Sequence, residues 1–176
     1  MLVPNLKLLL RFNTTSLYEE VSNFNMSVFG DDSFPQILPG GGYAMSDTQY
    51  LFGSGAGNTG YAANISNAVT IGFWLYSVDA GMATHPSSGN AVSISMPVMS
   101  FNEIGSSYDS IIKITENTTI NSKNNLQVSF SNDAYYASSE DYYPSMWHYF
   151  WIVYNGTSLL IYVDGKQHIL QNENGS

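Results

Sequence analysis

The side chains able to do chemistry in this chain are few and dispersed. Glu103, Asp109, Glu140 and Asp141 are the acids worth testing, and His85, His148 and His168 are the histidines. Retaining glycoside hydrolysis requires two carboxylates about 5–5.5 Å apart, which a strand supplies from positions i and i+2 or i+4 on one face. That spacing is absent. Glu103 stands alone, and Glu140 and Asp141 are adjacent, so an extended chain sends them to opposite faces. A serine triad is a spatial arrangement rather than a spacing, and no nucleophile-elbow sequence points to one. The Gly53–Gly60 run lacks the lysine of a phosphate-binding loop and reads as a flexible turn.

Binding chemistry is better represented. Tyr135, Tyr136, Tyr142, Tyr143 and Trp147 fall in or beside one acidic stretch, Asp133–Pro144. A tyrosine joins a flat apolar face to a hydroxyl, which suits stacking on sugars or a protein interface. The plainer alternative is that these rings pack their own loop. Oxygen-rich pairs at Asp31-Asp32 and Glu140-Asp141, with Asp79, are the positions where Ca²⁺ would sit; none has ligand spacing, and no metal or cofactor is assigned. Six Asn-x-Ser/Thr sites, at Asn13, Asn25, Asn64, Asn117, Asn155 and Asn174, are close to what an Asn- and Ser-rich chain produces by chance.

Composition narrows the partners. The formal net charge is -9, with only Lys7, Arg11, Lys113, Lys123 and Lys166 positive. Phosphate backbones and anionic membranes are repelled, so nucleic-acid and membrane partners are not expected. Without cysteine there is no disulfide framework and no thiolate metal site. Charged residues are 11% and aromatics 14%, so the surface is built from Ser, Asn, Thr, Gly and Tyr, a composition common in extracellular and virion β proteins. The opening MLVPNLKLLLRF is interrupted by Lys7 and Arg11 and does not read as a signal peptide. The expectation is a leader already removed or a protein carried inside an assembled particle. No segment approaches the ~18 apolar residues of a helical membrane span.

The elements that must position these residues are strands. Leu6–Phe12 alternates as a half-buried first strand, and Glu19-Glu20 near Ser16 suggest one helical turn. Gly40-Gly41-Gly42 marks a turn before a short strand at Tyr43–Met45, and Tyr50–Phe52 is another. In Ala68–Val78, Val69, Ile71, Phe73 and Leu75 share one face, and Thr70, Gly72, Trp74 and Tyr76 the other. Asp79–Asn90 reads as a polar loop. Val92–Phe101 is a strand pair or one bent strand, with Pro97 placing it at an edge or bulge. Tyr108–Thr115 and Leu126–Phe130 follow. Trp147–Tyr154, the turn Asn155-Gly156, Leu159–Val163 and the turn Asp164-Gly165 make an unambiguous hairpin. Both its faces are apolar or aromatic, so it is expected to be covered on both sides, by a second sheet or by loops and partners. Short strands with turns between them, and no sustained helical period, give an all-β sandwich as one domain over residues 1–176, with a polar tail at about 172–176.

Two segments carry a family resemblance. VTIGFWLY at Val69–Tyr76 resembles the "TI-x-FW-hydrophobic-Y" strand of laminin-G-like and concanavalin-A-like lectin/glucanase domains. WHYFWIVYNGTSLLIYVDG, from Trp147, is similar to their "W-H-strand, D/N-G turn, L-x-L-Y-V-D-G" hairpin. LKLLLRF followed by GGGYA resembles the opening of the same domains. The resemblance implies a jelly roll of two antiparallel sheets, with His148 in a structural position. It also sharpens the catalytic test. The E-x-D-x-x-E pattern of laminarinase-type glucanases is absent, and jelly-roll lyases need a clustered Arg, Gln, His and Tyr on strands, whereas the only arginine here is Arg11, on the first expected strand. Little chain remains after Gly165 for a closing strand, so an open edge covered by another subunit is expected. The expected function is a non-enzymatic binding or structural module. Its expected setting is a virion surface, as a decoration, fibre or tail component contacting neighbouring subunits or host glycans. The alternatives are a secreted carbohydrate- or protein-binding adhesion domain and, last, a glycan-cleaving enzyme.

Overall fold

A computed structural model describes residues 27–29, 36–37, 43–44, 50–52, 68–77, 83–84, 91–92, 95–102, 110–118, 123–130, 135–155 and 157–174. The chain divides into two compact units, Met1–Ala63 and Asn64–Ser176. The first holds β1 (Ser27–Phe29), β2 (Gln36–Ile37), β3 (Tyr43–Ala44) and β4 (Tyr50–Phe52), where β1 pairs with β4 and β2 with β3. The strand expected at Leu6–Phe12, the turn near Ser16 and the Gly53–Gly60 loop lie outside the described residues.

The second unit carries β5 (Val69–Tyr76), β6 (Ala83–Thr84), β7 (Ala91–Val92), β8 (Ser95–Asn102), β9 (Ser110–Thr118), β10 (Asn124–Phe130), β11 (Tyr135–Ser138), β12 (Trp147–Tyr154), β13 (Leu159–Val163), β14 (Lys166–His168) and β15 (Gln171–Asn174). One antiparallel sheet runs β15-β11-β10-β9-β8 and a second runs β14-β13-β12-β5, while β6 and β7 form a separate ladder. The result is an all-β sandwich.

Alternation builds each sheet. The ladder sets Ile71 against Ile152 and Phe73 against Phe150, and these side chains turn inward with Leu159, Ile161 and Val163. The other sheet answers with Ile112 and Ile114 from β9 and Leu126 and Val128 from β10, all four fully buried. Burying each such side chain contributes roughly 1.5–3 kcal/mol. Ring contacts tie the sheets together, among them Phe130 on Tyr154, with centroids 4.4 Å apart, and Tyr142 on His148 at 4.9 Å and edge-on to Phe150 at 5.2 Å.

Turn chemistry fixes the hairpin register. Asn155 Oδ1 accepts hydrogen bonds from the Thr157 and Ser158 amides at 3.0 and 2.8 Å, an Asx arrangement that closes the first turn. Asp164 and Gly165 have φ of 52° and 81°, the doubly left-handed pair of a type I′ turn, which carries β13 into β14.

Pro97 lies in β8, an edge strand whose pairing with β9 shifts register between Pro97 and Met99; the missing amide is accommodated by both devices at once. Three expectations are corrected. Ala83–Thr84, inside the span read as a polar loop, pairs with Ala91–Val92. Tyr135–Ser138, read as part of a loop, is an interior strand hydrogen-bonded to β10 on one side and β15 on the other. Gln171–Asn174, most of it read as a tail, is that β15. Both segments are short and polar; ladder pairing rather than an apolar face makes them strands.

Candidate functional site

The outward positions of β5 and β12 form one aromatic surface. Register places Trp147 opposite Tyr76, Tyr149 opposite Trp74, Trp151 opposite Gly72 and Val153 opposite Thr70. On the other side of β12, Trp151 faces Tyr162 and Val153 faces Leu160. Adjacent rings touch: Trp74 and Tyr149 at 5.0 Å between centroids, Tyr76 and Trp147 at 5.6 Å, Tyr149 and Trp151 at 5.9 Å. Trp74 is 64% exposed and Trp151 42%, with Tyr76 and Trp147 between them. On the outer face of the hairpin Trp147 and Trp151 reach solvent, with Tyr149, Val153, Leu160 and Tyr162 half-buried beside them. None of these outward side chains is charged. Partial burial raises the pKa of the Tyr149 phenol, which stays a neutral donor and acceptor.

The five residues singled out from sequence do not share one surface. Trp147 belongs to the aromatic face. Tyr143, before β12, is exposed, with the Lys123 ammonium 4.8 Å over its ring. Tyr142 is buried, its backbone bridged to Asn124 and its ring packed inside the sandwich, so it offers no surface to a ligand. Burial is the reason: its hydroxyl donates to Glu116 Oε1 at 2.6 Å, and Glu116 is itself inside the sandwich. Desolvation, followed by the Glu116 charge and hydrogen bond, pushes the Tyr142 phenol far above its ordinary range. Tyr135 and Tyr136 stand on β11, and their side chains lie outside the described residues.

His148 takes a structural position. It is buried; its Nε2 donates to the Tyr143 carbonyl at 2.6 Å, and its Nδ1 lies 2.7 Å from Asp164 Oδ2. Asp164 Oδ1 also accepts from the Tyr149 amide at 2.9 Å. These contacts join the segment carrying Tyr143 to the β13–β14 corner and hold the start of β12 in place.

Among the described residues Glu116 and Glu140 do not converge on the aromatic face. Glu116 is committed to Tyr142, and Glu140 Oε2 lies 3.4 Å from Lys166 Nζ. Glu103 and Asp109 lie outside the described residues. Among the described residues no group of three or more His, Asp or Glu could hold a metal ion, and no helix is long and apolar enough to cross a membrane. Sequence reading missed Glu116, whose partner is 26 residues away. It found the members of the aromatic face strand by strand but assigned them mainly to the core. The usable signal was Gly72 among bulky neighbours, which marks close approach from another side chain.

The chain matches no family model, no curated protein and no solved structure.

Proposed function

We propose that this chain is a non-enzymatic carbohydrate-binding module, a laminin-G-like, concanavalin-A-like jelly roll displayed on a virion or another extracellular surface. The observation that carries the reading is the surface of exposed rings Trp74, Tyr76, Trp147 and Trp151, with Tyr149 half-buried among them, on one face of the sheet. Pyranose rings carry C–H-rich faces that stack on aromatic π systems, and tyrosine hydroxyls and indole N–H groups supply hydrogen bonds at the rim. A contiguous exposed apolar patch costs solubility and marks a surface with a partner. Here the apolar area is concentrated in Trp and Tyr, with Val153 and Leu160 the aliphatic members, which favours sugar stacking over the mixed aliphatic core of a permanent interface. The low-charge, Asn/Ser/Tyr-rich composition fits the extracellular or virion setting.

The non-enzymatic reading rests on the dispersal of Glu116 and Glu140 into contacts of their own. Screening the wild-type chain and a Trp74→Ala/Trp151→Ala variant on a glycan array, with calorimetry on the hits, tests the function. Binding lost in the variant supports it. An array on which wild type captures nothing, with concentration-dependent self-association that the variant abolishes, assigns the face to subunit contact instead.

A further inference from the structure

One end of the sandwich encloses polar side chains that the aromatic face does not use. Thr118 closes β9 and Asn124 opens β10; the register sets them opposite each other, and both are fully buried. Glu116, two residues before Thr118 and on the same face of β9, is buried as well. These positions continue the inward rows of Ile112 and Ile114 on β9 and of Leu126 and Val128 on β10. Tyr142 is bridged to Asn124 through the backbone, and its hydroxyl donates to Glu116 Oε1 at 2.6 Å. Ser77, just past β5 in the other sheet, accepts from Asn124 Nδ2 on its Oγ at 3.2 Å, which turns Asn124 Oδ1 away from it. Three deficits coincide here. Asn124 Oδ1 and Thr118 Oγ1 are buried without a hydrogen-bond partner. Glu116 has the Tyr142 hydroxyl but no cationic partner among the described residues, where the ion pairs join His148 to Asp164 and Lys166 to Glu140, and Lys123 lies over Tyr143. An orphan buried oxygen and an uncompensated buried carboxylate each destabilise a fold.

We infer that Glu116, Thr118 and Asn124 form an enclosed, all-oxygen site for one alkali-metal cation, Na⁺ or K⁺. A buried water would satisfy Asn124 Oδ1 and Thr118 Oγ1 but leave the carboxylate uncompensated; a cation meets all three needs at once. Donors that are oxygen alone disfavour metals that prefer nitrogen or sulfur. Charge then selects among the hard cations. One carboxylate balances a single positive charge, whereas Ca²⁺ would leave a net charge in a buried site, and Mg²⁺ would in addition keep several of its waters. A count of acids does not find the site, because two of its three donors are neutral. The ion would tie β9 to β10 and, through Asn124 and Glu116, to Ser77 and Tyr142. The Ser77 carbonyl also accepts from the Ser145 amide at 2.8 Å, so the same cluster anchors the segment that leads into Trp147.

Thermal melts of the full chain in NaCl, KCl, CaCl₂ and tetramethylammonium chloride, at one ionic strength, test the site. Tetramethylammonium screens surface charge as the metal ions do, but its methyl groups keep oxygen ligands from the charge. The expected result is a higher Tm in Na⁺ or K⁺ than in tetramethylammonium, by about 3–6 °C once the ion reaches about ten times its dissociation constant, with a saturable dependence on its concentration. Glu116→Gln and Thr118→Val, both close to isosteric, should each lose that difference. Circular dichroism checks their folding; if one is unfolded the other carries the test, and the wild-type comparison among salts stands without either. Equal melting in every salt overturns the site and leaves water as the occupant. A rise in Ca²⁺ alone overturns the alkali-metal assignment. A Na⁺ or K⁺ response that survives both substitutions places the ion elsewhere and overturns the site as drawn.

Discussion

The His148 ring and the Asp164 carboxylate meet at 2.7 Å, joining the second residue of β12 to the corner between β13 and β14. The Tyr143 carbonyl on the other side of the ring can only accept, so His148 Nε2 donates to it at 2.6 Å. Burial would raise the Asp164 pKa, but the Tyr149 amide and the His148 ring outweigh it, and the carboxyl titrates below its unfolded value of 3.8. A depressed carboxylate contributes stability that is present above the unfolded value and lost as pH falls through the folded one. Asp164→Asn is therefore expected to be less stable than wild type at pH 6, with the difference shrinking as pH drops below 3.8. Urea melts at stepped pH check it.

Tyr142 is expected to resist ionisation until the protein unfolds. Its folded pKa is raised far above the unfolded value of 10.0, so its stabilising share is intact below that value and declines as pH rises beyond it. A spectrophotometric tyrosine titration should show one phenol appearing only with alkaline unfolding. Tyr142→Phe should cost about 1–3 kcal/mol because it strips the buried Glu116 carboxyl of its donor. Pairing it with Glu116→Gln should recover part of that loss.

His168 is buried on β14, and its Nδ1 lies 3.3 Å from the Glu140 carbonyl. Desolvation lowers its pKa from 6.5, and the Glu140 carbonyl and charge offset this only in part. The unfolded chain then binds the proton first on acidification. Stability should rise with pH up to about 6.5 and flatten above it, and His168→Gln should remove that slope in thermal melts. Persistence of the same slope in the variant would assign it to other groups.

Neighbours on β12 should respond oppositely to truncation. Phe150 is fully buried and stacked on Phe73 at 5.3 Å, so Phe150→Ala should cost about 3–5 kcal/mol. Trp151, one residue on, points outward, and Trp151→Ala should change stability by no more than about 1 kcal/mol. Equal losses in chemical denaturation would mean that the outer face is packed rather than presented.

Gly165 combines φ of 81° with open space around the position a Cβ would take. Gly165→Ala should therefore cost about 1–2 kcal/mol from backbone conformation alone, visible as a lower urea midpoint with an unchanged slope.

Much of the sandwich was legible because alternation and turn chemistry are local. VTIGFWLY and WHYFWIVY declare strands by their residue types, Asn155-Gly156 and Asp164-Gly165 declare the turns, and Pro97 declares an edge or bulge. Tyr135–Ser138 and Gln171–Asn174 were not legible, since a short polar strand is defined by the backbone on either side of it. The candidate site was legible in pieces. Trp74 was placed with Tyr76, and Trp147 with Tyr149 and Trp151, before any sheet was assembled.

The sequence by itself determined which side chains share a face; it did not determine which face is inside. On β12 the two sets, His148, Phe150, Ile152 and Tyr154 against Trp147, Tyr149, Trp151 and Val153, are almost equally apolar, so hydrophobicity cannot choose between them. The second sheet chooses: Ile112, Ile114, Leu126 and Val128 cover one set, and the other becomes a surface. The same step buried Tyr142 against Glu116 and brought His148 to Asp164. Contacts between residues 26 and 16 positions apart exist only once register and sheet packing have closed the chain on itself.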